Sequence, residues 1–190
     1  MDHERETWNR RYREGSHPSL DPDPLLPQSY AEFVTPLFPG GGSAFDVAGG
    51  IGRHAIWLAR RHWQVTLADI SPVGIDQARH HAGDLANHIN FQVADLADFV
   101  AGTKSYDLLL VFFYLERKIF PELVKVLRPG GLLIYKTYTR ENPRFGRGPT
   151  HSQHLLANNE LLHAFPGLRV LYYQETIRDR GVAEFVGRKA

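Results

Sequence analysis

The chain has 190 residues, 43% of them hydrophobic, which suits one domain with a single substantial core and excludes wholesale disorder. Its net charge of +1 gives no nucleic-acid footprint in the total, and the lack of cysteine excludes disulfides and thiolate chemistry. No apolar segment resembles a signal peptide, and the longest apolar run, Leu108 to Leu115, is too short to span a bilayer, so a cytoplasmic protein without a membrane partner is expected.

Residues 4 to 14 are charged, with Trp8 and Tyr12 four apart, so a short helix puts both rings on one face. Those rings either pack the helix onto the rest of the fold or line a ligand site. Pro18, Pro22, Pro24 and Pro27 then interrupt regular structure, and residues 28 to 38 read as a helix that Pro36 ends or kinks. After the break at Pro39 to Gly42, strands and helices alternate. Strands are expected at Ser43 to Val47, Val65 to Ala68, Ile89 to Val93, Tyr106 to Phe113 and Leu132 to Tyr138. Helices are expected at Gly52 to His62, at Pro72 to His81 with Ser71 as its cap, and at Phe120 to Leu127, with Arg128 to Gly131 as a turn. Residues 139 to 157 read as a long loop, followed by a short helix (Asn158 to Phe165) and two closing strands (Leu168 to Glu175, Val182 to Arg188). This rhythm predicts an α/β fold: one doubly wound sheet, mostly parallel with an antiparallel last strand, and helices on both faces. A single domain over 1–190 is expected, with 1–40 a helical and proline-rich cap and 139–157 a substrate-side loop.

The segment Asp46-Val47-Ala48-Gly49-Gly50-Ile51-Gly52 joins a strand to a helix. A glycine-rich turn there lets backbone approach a ligand without Cβ atoms in the way. Asp46 and Asp69, closing the first and second strands, can accept hydrogen bonds, Asp69 from a ribose diol. Gly50 to Ala55 also satisfies the dinucleotide pattern G-x-G-x-x-G/A, and Tyr114 to Lys118 matches Tyr-x-x-x-Lys, so a nicotinamide oxidoreductase stays open on this turn. The chain is short for two complete mononucleotide halves, which weighs against that reading.

In combination these features resemble the class I, seven-stranded S-adenosylmethionine-dependent methyltransferases. Asp46 to Gly52 is similar to their first motif, Asp69 to the acid closing their second strand, Ala94-Asp95-Leu96 to their third-strand signature and Leu127-Arg128-Pro129-Gly130-Gly131 to the turn before their fifth strand. Trp8-Asn9-Arg10-Arg11-Tyr12, Tyr114-Leu115-Glu116-Arg117 and Ile134 to Thr139 resemble the small tellurite-resistance and thiopurine-type members. Two positions depart from the pattern. Ala48 replaces the first family glycine, so its backbone should adopt a conformation that an L-residue tolerates, and Lys136 stands where many relatives have an acid.

The resemblance implies S-adenosyl-L-methionine as cofactor and methyl transfer as the reaction; with no appended recognition domain and only slight basic patches, a small-molecule acceptor and no nucleic acid are expected, from a monomer or homodimer. It implies Asp46 near the methionine amino group, backbone at Ala48, Gly50 and Gly52 along the adenosyl moiety, and Asp69 on both ribose hydroxyls. Asp95 takes the adenine amino group, Ile70 and Leu96 sandwich the ring, Phe112 lies near the reacting centre, and Trp8 and Tyr12 belong to the cofactor site. Tyr114, Arg117 and His151 are the acceptor-site candidates, and no catalytic base is assigned. A non-catalytic S-adenosylmethionine-binding protein on the same fold is the alternative. His54 is expected to begin a helix and satisfy a local hydrogen bond. His151 and His154 have no neighbouring Cys or carboxylate, so no metal is assigned. Arg140, Arg144 and Arg147 either attract an anionic substrate or are solvated loop.

Overall fold

The computed structural model describes residues 2–15 and 19–190; of the interrupting prolines, Pro18 lies outside them. The chain divides into two compact units, Met1–Phe99 and Val100–Ala190.

In the first unit, β1 (Ser43–Val47), β2 (Gln64–Asp69) and β3 (Ile89–Val93) pair in parallel, with Val47 opposite Ala68 and Asp69 opposite Val93. Apolar side chains leave β1 and β2 buried along nearly their whole length, as a parallel sheet covered by crossover helices requires. The amino-terminal helix α1 (Asp2–Arg13) carries Trp8 and Tyr12 stacked at 5.7 Å, as their spacing predicts.

The next helix differs from expectation. α2 (Leu25–Ser29) begins three residues earlier than residue 28 and runs into a wider π turn at Tyr30–Val34. Pro27 is tolerated because it lies in the first turn, where N–H groups have no helical partner. The crossovers between strands are α3 (Arg53–Ala59) and α4 (Pro72–Ala82). Ser71 caps α4 by accepting from Gly74 N–H at 3.0 Å, and Pro72 sits at the first helical position, where its missing N–H costs nothing. Tyr30 holds the π turn to the unit: its hydroxyl accepts from Trp63 Nε1–H at 3.0 Å, and its ring meets Trp57 edge-on at 5.0 Å. Trp63 itself is fully buried. His54 is buried too, and it bonds a residue distant in sequence. Nε2 accepts from Asp23 N–H at 3.2 Å, which ties the proline-rich stretch to the start of α3.

In the second unit, β4 (Tyr106–Phe112) and β5 (Leu127–Tyr138) are parallel, while β7 (Gly181–Lys189) runs antiparallel to both β5 and β6 (Leu168–Ile177). Strand order in the seven-stranded sheet is β3-β2-β1-β4-β5-β7-β6. The expected mostly parallel sheet with an antiparallel last strand is therefore found. Leu108 to Val111 are wholly buried, and Tyr135, Phe120, Phe165 and Phe185 form an aromatic cluster whose ring centroids lie 4.9–5.9 Å apart.

The expected turn at Arg128 to Gly131 lies within β5 rather than before it. Tyr106 pairs with Leu127 and Leu108 with Leu132, so β5 advances five residues while β4 advances two. The surplus is a large bulge, with Gly130 at φ 79° and the Arg128 guanidinium bonded to both Asp107 oxygens at 3.0 Å. Helix α5 (Phe120–Val126) ends one residue early as a result. The long loop after β5 is tied off at its base, where Thr139 bridges Leu156 and Leu156 N–H donates to Tyr138 O at 2.9 Å. The helix expected after it shortens to α6 (Glu160–His163). Among the described residues no helix is long and apolar enough to cross a membrane.

Candidate functional site

β1 delivers Asp46 to its carboxyl end, and the chain then turns through Ala48, Gly49, Gly50, Ile51 and Gly52 into α3. The backbone is left-handed at Gly50 (φ 55°) and Gly52 (φ 81°), which glycine adopts freely. It is also left-handed at Ala48 (φ 55°), which corrects the expectation of a conformation an L-residue tolerates. The turn imposes the conformation, and Ala48 carries a steric cost of about 1–2 kcal/mol. Ala48→Gly is accordingly expected to raise stability by about 0.5–1 kcal/mol, after the extra unfolded-state freedom of glycine is subtracted. A lower denaturation midpoint for that variant would show that the Ala48 methyl packs usefully.

Asp69, at the end of β2, holds the turn from the side. One oxygen accepts from Gly50 N–H and the other from Ser71 N–H, each at 2.9 Å. Tyr12 donates a third bond to the same carboxylate. Burial raises Asp69 to about 6, against the lowering effect of those three donors. A carboxylate offers about four acceptor positions. Asp69 therefore has room for one further donor while Tyr12 stays in place, not the two expected of a ribose diol.

Asp46 is 1% exposed. Its Oδ2 accepts from Ala55 N–H at 3.1 Å, and its Oδ1 is buried with no hydrogen-bond partner among the described residues. Burial pushes Asp46 up to about 7, Asp69 adds to the rise, and Ala55 N–H and Arg53 oppose it. A buried carboxylate oxygen with an open lone pair is costly unless something else pairs with it.

α1 lies across this turn. Asn9 accepts from the Ser71 hydroxyl at 2.6 Å, and Gln77 donates to Tyr12 O at 3.2 Å. The Tyr12 ring enters a slot between two glycines. A Cβ on Gly50 would lie 2.5 Å from the Tyr12 hydroxyl, and one on Gly74 would lie 2.8 Å from Cε2. Burial and the two neighbouring carboxylates push the Tyr12 phenol well above its ordinary range, so it acts as a donor. Sequence reasoning included Trp8 and Tyr12 but missed Asn9, Ser71 as its partner, and Gly74. The available signal is that Asn9 and Tyr12 are three apart and so share a helical face.

The remaining first-unit candidates surround the carboxyl end of β3. Asp95 is half-buried and uses Oδ1 to accept from Ala97 N–H at 2.9 Å, Leu96 is buried, and Ile70 is half-buried.

The second unit carries the other candidates. Phe112 ends β4 and is buried; the Tyr114 carbonyl accepts from the Tyr135 hydroxyl at 2.7 Å. Arg117, expected at the acceptor site, is engaged as a clamp. It grips Glu160 through Nε at 2.5 Å and Nη2 at 2.9 Å, and donates to the carbonyls of Gln153 (3.0 Å) and Leu155 (2.9 Å). Four of the five guanidinium N–H groups thus hold the loop base. His151 is exposed and caps a short turn through Gln153 N–H, its ring 6.3 Å from that of His154. Among the described residues no group of three His, Cys, Asp or Glu side chains is placed to hold a metal.

Comparison with known proteins bears on the fold and the family. Residues 44–131 match a family model described as a methyltransferase domain. The tRNA 5-carboxymethoxyuridine methyltransferase of Escherichia coli is 35% identical over 124 residues, covering 60% of this chain and 47% of that protein. The chain thus spans about half the length of the curated relatives it matches. Among solved structures, the N-methyltransferase NodS of Bradyrhizobium japonicum, in complex with S-adenosyl-L-homocysteine, aligns with TM-score 0.68 at 20% identity over 90% of each chain. TehB of Haemophilus influenzae aligns with TM-score 0.72 at 15% identity, over 95% of this chain and 66% of that one. The tRNA-modifying relative overturns the expectation of no nucleic-acid partner. That expectation rested on the lack of an appended recognition domain, on slight basic patches along the sequence and on net charge, which sums over the whole chain and says nothing of where the cations lie.

Proposed function

We propose that this chain, which carries the class I methyltransferase fold and a methyltransferase domain over residues 44–131, binds S-adenosylmethionine at the Asp46–Gly52 turn and methylates a nucleic-acid acceptor. The observation that carries the cofactor assignment is the unpartnered, buried Oδ1 of Asp46 beside a left-handed glycine turn. A cationic amino group is the partner that would satisfy such an oxygen most strongly. A dinucleotide suits the turn less well, because its pyrophosphate would meet the Asp46 charge, which Arg53 at the start of α3 only partly offsets.

In this reading Asp46 holds the amino group of the methionine moiety. Asp69 accepts one ribose hydroxyl, Asp95 the adenine amino group, and Ile70 and Leu96 flank the ring. Trp8 and Tyr12, carried by α1, cover the site and keep water out. When bound, the cofactor supplies a methyl group on a sulfonium centre, a leaving group already activated. Alignment and water exclusion are therefore the protein's main contributions. The acceptor class rests on the 35% identity with the tRNA methyltransferase.

Titration with S-adenosylhomocysteine by calorimetry, with NAD and NADP as controls, tests the reading. Asp46 must be ionised to pair with the ligand's ammonium group, and it is held up at about 7 in the free protein. Affinity should therefore fall about tenfold per pH unit below 7, with proton release on binding there. Constant affinity from about pH 5.5 to 7.5, or tight NAD binding, would exclude this assignment. Transfer of labelled methyl into an undermodified RNA pool tests the acceptor, and transfer to none of its RNAs would count against it.

A further inference from the structure

We propose that the second unit carries an RNA-binding surface, formed by the loop after β5 and the turn between β6 and β7, that recognises an RNA with unpaired bases. This deepens the acceptor class proposed above and rests on it. β5 and β7 are antiparallel with Tyr138 opposite Val182, and β6 places Thr176 opposite the same Val182. The chain thus leaves β5, and turns from β6 into β7, at one end of the sheet. That end holds the carboxyl termini of β4 and β5, since Phe112 pairs with Lys136. Ligands of parallel sheets approach this end.

Five exposed arginines occupy the two loops: Arg140, Arg144 and Arg147 on the first, Arg178 and Arg180 on the second. Against them, residues 139–151 and 177–181 hold only the acids Glu141 and Asp179, which pair with Arg144 and Arg180. With a whole-chain charge of +1, the remaining residues are net acidic, so the cations are concentrated here. Arg140, Arg147 and Arg178 form no ion pair among the described residues.

The two loops are fastened together. Asn142 is wholly buried; its Oδ1 accepts from Gly181 N–H at 3.2 Å and its Nδ2 donates to Arg147 O. Thr139 N–H donates to Gly181 O at 3.0 Å, and Gly181 lies so close to Asn142 and Thr139 that no side chain fits there. The arginines therefore project from a fixed scaffold, with the spacing between loops set by Asn142 and Gly181. An aromatic pair adjoins them. Phe113 and Tyr138 are half-exposed, with rings 4.9 Å apart, and Gly148 of the arginine loop lies against the Tyr138 ring.

Guanidinium groups bind phosphates in bidentate fashion, and half-exposed aromatic faces stack on splayed bases. An acidic protein would use the cations and leave the aromatic faces without a role. Duplex RNA offers phosphates without free base faces. An RNA stem-loop uses both features.

Fluorescence anisotropy with a labelled RNA stem-loop tests the proposal. The triple variant Arg140→Ala, Arg147→Ala, Arg178→Ala should bind at least about tenfold more weakly. Its slope of log Kd against log salt should flatten by about 2, at about 0.7–0.9 for each phosphate no longer neutralised. The corresponding triple Lys variant should keep most of the salt slope. S-adenosylhomocysteine binding should be unchanged in both, which excludes misfolding as the cause. The proposal fails if the wild-type chain does not bind the stem-loop, if the alanine variant binds as wild type does, or if heparin or an acidic peptide competes with the affinity of the stem-loop itself. Failure of the wild-type chain to bind S-adenosylhomocysteine would instead remove the cofactor reading, and the anisotropy result would stand apart from it.

Discussion

Asp69→Ala is expected to lower stability by about 1–3 kcal/mol at pH 7.5 and to weaken S-adenosylhomocysteine binding at least about a hundredfold. The stability effect is the difference of two opposing contributions. Removing the carboxylate orphans the buried N–H groups of Gly50 and Ser71, at about 1–3 kcal/mol each, and takes away the acceptor of the Tyr12 hydroxyl. It also removes a charge whose burial holds Asp69 at about 6, some two pH units above its unfolded value, which returns about 3 kcal/mol. Two lost backbone bonds and the lost phenol bond together outweigh that return. The affinity effect lies at or above the top of the about 1.5–3 kcal/mol range of a single charge-assisted bond, because the freed Gly50 no longer fixes the turn along which the cofactor is proposed to lie. Denaturant unfolding and calorimetry on the same preparation separate the two roles. Lost affinity with unchanged stability would mean that Asp69 contacts ligand without supporting the turn, and unchanged affinity would remove it from the site.

This dual role shows what is legible in the sequence and what is not. β1 and β3 have the boundaries read from their apolar runs, and α4 begins where Ser71 and Pro72 predict, because strand patterning and helix caps are local properties. Asp69 is identifiable as an acid closing a strand. Its commitment to two backbone N–H groups depends on the three-dimensional path of the turn, which composition and spacing do not encode.

The same limit applies wherever residues distant in sequence meet. Asn9 and Ser71 are 62 positions apart, Asp23 and His54 are 31 apart, and Arg117 and Glu160 are 43 apart. Each pair joins polar groups that read, in isolation, as exposed loop or helix surface. Arg117 resembles an acceptor-site residue because it follows β4, yet its guanidinium is spent on the base of the loop after β5. The Arg128 to Gly131 segment does break the strand pattern, as its glycines predict. That the chain stays paired on both sides of the break follows only from the register with β4. Net charge misleads in a different way, since five arginines gathered on two loops disappear in a sum over 190 residues.

Asp46→Asn should make the free protein more stable at pH 8 while reducing S-adenosylhomocysteine affinity by about two to three orders of magnitude. Asp46 is held at about 7 when folded, above an unfolded value near about 3.9. Between those values the folded state binds more protons than the unfolded state, so stability falls as pH rises from about 4 to above 7. Roughly three pH units at about 1.36 kcal/mol each correspond to a loss on the order of 4 kcal/mol by pH 8. Asparagine removes the ionisation. It can still accept from Ala55 N–H, while its amide nitrogen replaces the unpartnered Oδ1. Part of the gain is offset by that buried amide group, which leaves a net stabilisation of about 1–3 kcal/mol at pH 8 and little at pH 5. The neutral amide cannot pair with an ammonium group, so the more stable protein binds poorly. Thermal unfolding of both proteins across about pH 5 to 8, with and without S-adenosylhomocysteine, measures both effects. If the variant is instead less stable at pH 8, Oδ1 has a protein partner and the cost of its burial is met within the fold. If the predicted crossing appears, the instability at Asp46 exists in the free protein because the carboxylate is built for a cation that arrives with the ligand.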